Sequence, residues 1–178
     1  MLTNNFKKIV ATLLQANGTL TYGGYPIKNA YGTTVYTSGN FSQLWPRAAP
    51  AITLVSSAIA AGIAIGTGST PASGDDYRIE SPIASGISAS ITYAKAHNDV
   101  NGYDDIEFTI VVTNSSGADI VAREISYTQN IYCASSQGGS TGSGQYICLD
   151  RTVFDTPITL VNGEQTTIKY RLRSILSL

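Results

Sequence analysis

The stretch Asn162–Arg173, which reads NGEQTTIKYRLR, decides the fold class of this chain. It opens with Asn-Gly, a strong signal for a tight turn between two strands. After the turn, apolar and polar side chains alternate: Thr166, Ile168, Tyr170 and Leu172 on one face, and Thr167, Lys169, Arg171 and Arg173 on the other. A period of two residues is typical of a half-buried strand.

The same alternation recurs in the middle of the chain. Ile87–Tyr93 and Ile106–Val112 alternate in this way, and the polar segment between them contains Asn101-Gly102, which predicts a hairpin. Further strands are predicted at residues 52–56, 63–65, 119–128 and 156–160, with a loop at 66–76 and a turn at 114–117. Short strands separated by turns are typical of an antiparallel sandwich or a small barrel. We therefore expect a mainly β chain, folded as an antiparallel β-sandwich of the jelly-roll or immunoglobulin-like type.

The N-terminal region is predicted to be helical. Residues 4–16 carry one apolar stripe at helical spacing, formed by Phe6, Ile9, Val10, Leu13 and Leu14. Thr3–Asn5 offer N-cap side chains, and Gly18 lies where a helix usually ends. A helix of this length is unstable alone, so it docks either on its own domain or on another subunit.

Residues 19–50 are rich in Tyr, Gly and Asn and predict short strands or a loop arm. Clustered tyrosines form binding surfaces in some proteins, and they equally suit half-buried strands. The expected organisation is an N-terminal helix and Tyr-rich arm at 1–50, followed by a β-sandwich core domain at 51–178.

Charge is sparse along the 178 residues: 13 % are charged, and the formal net charge is −1. Low charge is typical of a subunit whose surface is covered by neighbours, and equally of a neutral, Thr/Ser-rich monomeric domain. It gives no electrostatic basis for binding nucleic acid. We interpret the row formed by Lys169, Arg171 and Arg173 as a solvated strand face.

Membrane insertion and secretion are not expected either. The sequence has no apolar run of the roughly 18 residues that a membrane-spanning helix needs. Lys7 and Lys8 precede only a very short apolar stretch without a convincing cleavage site, so no signal peptide is predicted.

The two cysteines, Cys133 and Cys148, flank a Gly/Ser-rich loop at residues 137–144. A hairpin there would bring them face to face, which allows a disulfide in an extracellular particle. Buried free thiols are favoured over a disulfide, as expected of a protein made in the cytosol. Two cysteines without partner histidines do not make a zinc site.

No group of residues indicates catalysis. His97, the single histidine, lies in a turn-rich segment, and no positioned nucleophile or orienting acid can be assigned to it, so we interpret it as a solvated loop residue. Gly66-Thr67-Gly68 lacks the lysine and the following helix of a phosphate-binding loop. We expect no enzyme, no catalytic residue and no cofactor.

Oxygen-bearing side chains cluster in two places, Asp99, Asn101, Asp104 and Asp105 in one and Asp75-Asp76 in the other. Calcium prefers such ligands, although Asn and Asp also favour turns for backbone reasons. The first cluster does not have the spacing of an EF-hand loop. We expect no metal ligand here, with calcium binding as the alternative.

Several segments together resemble minor structural proteins of tailed bacteriophages, tail-fibre-like or tail-associated. In those proteins a strand leads into a Gly-Thr-Gly turn, then an Asp-rich step, then an apolar-Glu pair, and the chain closes with a hairpin. The matching segments here are Gly62–Pro71 with Asp75–Glu80, Ala122–Ile125, Leu149–Ile158 with Gly163-Glu164, and Met1–Lys8. Residues 19–50 match less well. The resemblance implies a virion component and no catalytic residues.

These observations lead to one main functional expectation, a virion structural protein of the tail, tail tip or neck. It would be made in the host cytoplasm and would act as a homo-oligomer in contact with other virion proteins, by strand addition among other routes. The alternative is a receptor- or carbohydrate-binding module at the tail tip, using residues 19–50 and the loop at 137–144. A secreted or surface bacterial β-domain is disfavoured by the missing signal peptide, and an enzyme comes last.

Overall fold

The computed structural model describes residues 2–15, 24–37, 52–98, 103–136 and 142–175. Within them the chain is mainly β, with two antiparallel sheets and one short helix, which confirms the predicted fold class at this level. Several predicted features lie wholly or partly outside the described residues: the helix stop at Gly18, the Tyr-rich arm at 19–23 and 38–50, the hairpin turn around Asn101 and the tip of the Gly/Ser-rich loop at 137–141.

The described elements are one helix and eight strands. They run in the order α1 (Asn4–Gln15), β1 (Pro26–Lys28), β2 (Thr34–Thr37), β3 (Gly62–Gly66), β4 (Ile87–Asn98), β5 (Tyr103–Asn114), β6 (Ile120–Ala134), β7 (Gly142–Leu160) and β8 (Gln165–Ile175). The strands predicted from alternation at 87–93, 106–112 and 166–173 correspond to β4, β5 and β8 and are confirmed.

Sheet A is built on the long hairpin of β6 and β7, which pair from Ile120 and Leu160 to Ala134 and Gly142. Strands β3 and β2 pair with separate stretches of β6, and β1 pairs with β2. Sheet A therefore includes two short strands from the region before residue 50. The predicted division of the chain at that residue stays a prediction.

Sheet B contains three long strands in the order β4, β5, β8. Their register aligns apolar residues in cross-strand rows, so that Phe108 lies between Tyr93 and Tyr170, and Ile110 lies between Ile91 and Ile168. Cross-strand aromatic and β-branched pairs are the contacts that stabilise a sheet most. Phe108 is fully buried, with its ring 5.5 Å from Tyr127 of sheet A and 6.0 Å from Tyr170.

The two sheets share one apolar core. Sheet A contributes the buried side chains of Ile63, Ile65, Ala122, Ile125 and Leu160. Sheet B contributes those of Phe108, Ile110, Val112, Ile168 and Tyr170, and the segment after β3 adds Ile83. Two polar contacts also join the sheets. The Asn114 side chain donates to the carbonyl of Leu160 at 2.7 Å, and the Tyr170 hydroxyl donates to the buried carboxylate of Asp150.

Helix α1 packs over the opposite end of the β6–β7 hairpin in a second cluster, which comprises Ile9, Ile27, Val35, Ile131, Cys133 and Ile147. Thr3 is the N-cap, because its hydroxyl accepts the Phe6 N–H. The Asn5 amide bonds both backbone groups of Lys28, at 2.8 and 3.1 Å, and so fixes the helix to β1. Among the described residues no helix is long and apolar enough to cross a membrane.

The predicted strand at residues 52–56 is wrong. Only Leu54 forms a bridge there, parallel to Ile63. The Val55 N–H donates to the Ile63 carbonyl at 2.8 Å, and the Ile63 N–H donates to the Thr53 carbonyl at 3.0 Å. Gly62, at φ 143°, allows this close approach, because a Cβ at that position would collide with the Thr53 carbonyl. Residues 52–56 therefore cover the start of β3 without forming a strand.

Candidate functional site

The largest buried charge network in the described part of the chain surrounds Arg151 on β7. Its Nε donates to Glu124 on β6 at 2.8 Å, and its Nη1 donates to Asp76 at 2.9 Å. Its Nη2 reaches Glu80 at 3.2 Å and the Thr70 carbonyl at 3.0 Å. We call Arg151, Glu124, Asp76 and Glu80 the Arg151 cluster. Arg151 is 2 % exposed and Glu124 is 0 % exposed, so this charge pair is screened from water.

Glu124 also organises the loop that covers this face of sheet A. Its carboxylate accepts the backbone N–H groups of Gly68, Glu80 and Ser81, at 3.1, 3.1 and 2.7 Å. Glycine is required at position 68, since a Cβ there would collide with the Glu124 carboxylate. The buried Glu124 side chain therefore holds both ends of the loop between residues 66 and 82.

The electrostatics of the cluster match a structural cross-link. Burial alone would lower the pKa of Arg151, but hydrogen bonds to Glu124 and Asp76 outweigh it and raise that pKa. The pKa of Glu80 is lowered, first by the Thr70 hydroxyl and then by the Thr70 N–H. Both shifts favour the charged forms of Arg151 and Glu80.

A shallow depression of about 260 Å³ lies over the cluster, lined by Thr70, Ser73, Asp75, Asp76, Tyr77, Arg78, Glu80 and Arg151. Its polar groups are largely used within the fold, because Asp76 binds Arg151 and Ser73, and Asp75 accepts from Asn4. The lining contains neither histidine nor cysteine. The arrangement fits a fold-stabilising role better than general acid–base or nucleophilic chemistry.

The sequence-selected oxygen ligands are only partly described. Asp99 and Asn101 lie outside the described residues, and His97 and Asp104 face each other as backbone partners on β4 and β5. Asp105 is held by Arg173 through two bonds of 2.8 and 2.9 Å. Among the described residues no group of three or more His, Cys, Asp or Glu side chains could hold a metal ion.

The basic row on β8 lies on the exposed face of sheet B, as predicted. Arg171 donates to Glu107 at 2.7 Å, and Lys169 lies 3.4 Å from the same carboxylate. Hydrogen bonds from Arg171, then from Lys169, lower the pKa of Glu107. The basic partners of these cross-strand ion pairs are exposed, and solvent-screened pairs of this kind contribute little to stability.

The cysteines are free and buried, which confirms the arrangement that the sequence favours, and they do not lie face to face. In the β6–β7 register Cys133 is opposite Ser143, and Cys148 is opposite Thr128, five positions before Cys133 on β6. Five strand residues span about 16 Å. A disulfide needs Cα atoms within about 7 Å, so this register prevents it.

The other candidates for function are contact surfaces, and an unpaired strand edge is one such surface. The edges of sheet A are protected. Pro26 and the Asn5 side chain protect β1, while residues 53–55 and 81–83 pair alongside β3. Leu2 and Thr3 bond β7 near Leu149 and Asp150. Further along β7, residues 154–157, which include Pro157, interrupt the pairing with β6. Prolines and irregularities of this kind block further strand pairing.

Sheet B differs, because both of its outer strands are long. Strand β8 carries Lys169, Arg171 and Arg173, and charged side chains are a common protection of edge strands. Strand β4 has no such protection over Ile87–Ala94. Among the described residues no strand pairs with the side of β4 that faces away from β5. We call this side, over Ile87–Asn98, the β4 edge; Tyr93 beside it is 59 % exposed.

Comparison with known proteins gives no assignment: no protein-family model, curated protein or solved structure matches this chain significantly.

Replacing Arg151 tests whether the cluster is a structural cross-link. We expect Arg151→Met to lower the free energy of unfolding by about 3–5 kcal/mol, because it leaves Glu124 buried without its cation. The matched control Arg171→Met breaks a pair that solvent screens, so its loss of stability should be far smaller than that of Arg151→Met. Urea unfolding followed by circular dichroism measures both. Equal, small losses for the two variants would contradict the structural role.

The cysteines allow a second test. Burial raises the pKa of both thiols to about 12, so neither is ionised at pH 8 in the folded protein. A chromogenic disulfide reagent should detect no reactive thiol in the native protein and two after unfolding in guanidinium. Absence of thiols after unfolding would show a disulfide and would refute the β6–β7 register.

Proposed function

We propose that this chain is a non-enzymatic structural subunit of a bacteriophage virion, a component of the tail, tail tip or neck. It is made in the host cytoplasm and works in the particle as a homo-oligomer in contact with other virion proteins. It needs no cofactor, metal ion, nucleic acid or membrane insertion. For the two sheets we propose a β-sandwich of the jelly-roll or immunoglobulin-like type.

The β4 edge is the observation that carries this proposal. An unpaired strand exposes a row of backbone donors and acceptors, which is a template for pairing with another chain. Protection of the other edges therefore matters, because it leaves β4 as the place where pairing costs least. Strand addition of this kind is a known mode of protein association.

Two further features support the proposal. The chain has a charged fraction of 13 %, about half the usual share, which suits a surface covered by neighbouring subunits. The Arg151 cluster, the densest group of charges in the described interior, is occupied with holding the fold together. The resemblance of Gly62–Glu80 and Leu149–Ile158 to tail-associated proteins points to the virion as the place of assembly.

A receptor- or carbohydrate-binding module at the tail tip is the second candidate, favoured by Tyr31. This residue lies in the β1–β2 turn and is 59 % exposed. Exposed tyrosines provide contact area at low entropic cost and stack on sugars or partner surfaces. In this case, purified protein should bind host cells, and Tyr31→Ala should weaken that binding more than Val161→Ala, a truncation at another exposed site.

Immunogold electron microscopy of particles produced by the encoding genome tests the main proposal, together with light scattering of the purified chain. We expect label at one fixed position of the particle and a solution mass that is a multiple of 18.8 kDa. A chain that stays at 18.8 kDa at high concentration and is absent from purified particles would refute the proposal. Binding to host cells by a monomer would favour the second candidate.

A further inference from the structure

We infer that the β4 edge pairs with the β4 edge of a second copy, in antiparallel orientation, about a two-fold axis that lies midway between the two copies of Thr92. The inference rests on the proposed assembly function and names the partner and register of that contact. Three observations identify a second copy as the partner: the composition of β4, the protection of the other edges, and the symmetry that self-pairing imposes.

The composition of β4 fits a strand partner on its open side. From Ile87 to Lys95 it has a single charge, on Lys95, and neither glycine nor proline. The outward side chains Ser88, Ser90, Thr92 and Ala94 are small and exposed, so a neighbouring strand meets no bulky group. The inward row ends in Tyr93, whose exposed ring would gain cover from an added strand.

Symmetry restricts the register of self-pairing. A two-fold axis perpendicular to the sheet pairs residues that point to the same face, so one residue must lie directly opposite its own copy across the axis. An axis at Thr92 pairs Ile87–His97 with its copy, nearly the whole strand. It places Tyr93 opposite Ile91 of the second copy, an aromatic–β-branched pair, and Lys95 opposite Ala89 of the second copy. No like charges face each other in this register.

Pairing β4 with β8 of another copy is less favourable. In sheet B both strands run antiparallel to β5, so a continued sheet would place β4 parallel to β8. Parallel ladders are slightly less stable per residue, and β8 carries the row Lys169, Arg171 and Arg173. Self-pairing instead gives a closed dimer with a six-stranded sheet, three strands from each copy.

A symmetric cysteine tests the register directly. In the inferred dimer the two Cα atoms at position 92 lie roughly 4.5–5.5 Å apart, as in any directly opposed antiparallel pair, which is within the range of a disulfide. We expect Thr92→Cys to form a covalent dimer on mild oxidation, seen by non-reducing electrophoresis. Thr167→Cys, at an equally outward and exposed position on β8, should form no covalent dimer under the same conditions. Equal cross-linking of the two variants would overturn the inference.

A charge substitution gives an independent test. Thr92→Lys places like charges opposite each other across the axis, so the dimer dissociation constant should rise at least about tenfold, whereas Thr167→Lys leaves it unchanged. Circular dichroism checks that both variants fold. If wild-type chains associate and Thr92→Lys does not weaken them, this interface is refuted while the proposed assembly function survives. If the wild type neither associates nor enters particles, the proposed function itself fails.

Discussion

The ion pair between Glu124 and Arg151 determines how the edge of β3 is covered. Because Glu124 binds the backbone of Gly68, Glu80 and Ser81, it holds the returning segment 81–83 beside β3. Arg151 adds the carbonyl of Thr70 and the carboxylate of Asp76 to the same contact. A buried pair of this kind contributes little net stability, but breaking it is costly, so it fixes one arrangement of the loop.

Other segments of the chain cover the edges of sheet A but not those of sheet B in the described residues. The N-terminal segment protects β1 and part of β7 through Asn5 and Thr3, and the loop after β3 protects that strand. Sheet B receives neither kind of cover in the described residues. Its strand β8 is protected by charge, whereas β4 presents small and apolar side chains. The architecture therefore concentrates the capacity for association on one strand, which is consistent with a chain that works through contacts.

Much of the fold could be predicted because its signals are local. Alternation identified β4, β5 and β8, and the apolar stripe identified α1, whose Ile9 is buried. The prediction of a strand at 52–56 is wrong, because an apolar run does not show whether backbone pairing with a neighbouring strand continues beyond one bridge. The sequence left a disulfide between the cysteines open, because their separation depends on the register of a hairpin, which is set by contacts far along β6 and β7. Arg151 and Glu124 were not singled out, since only tertiary structure brings Glu124, Glu80 and Asp76 to one guanidinium. In the sequence Glu124 is adjacent to Arg123 and Arg151 to Asp150, so neither stands out as a lone charge in an apolar strand.

The central claim is that this polypeptide functions through β-strand contacts on sheet B. Hydrogen exchange measured by mass spectrometry, at a series of protein concentrations, tests it most directly. Backbone amides of residues 87–95 should exchange more slowly as concentration rises, because association pairs them, while amides of β8 stay unchanged. Exchange of β4 that is independent of concentration and of added virion proteins would contradict the account.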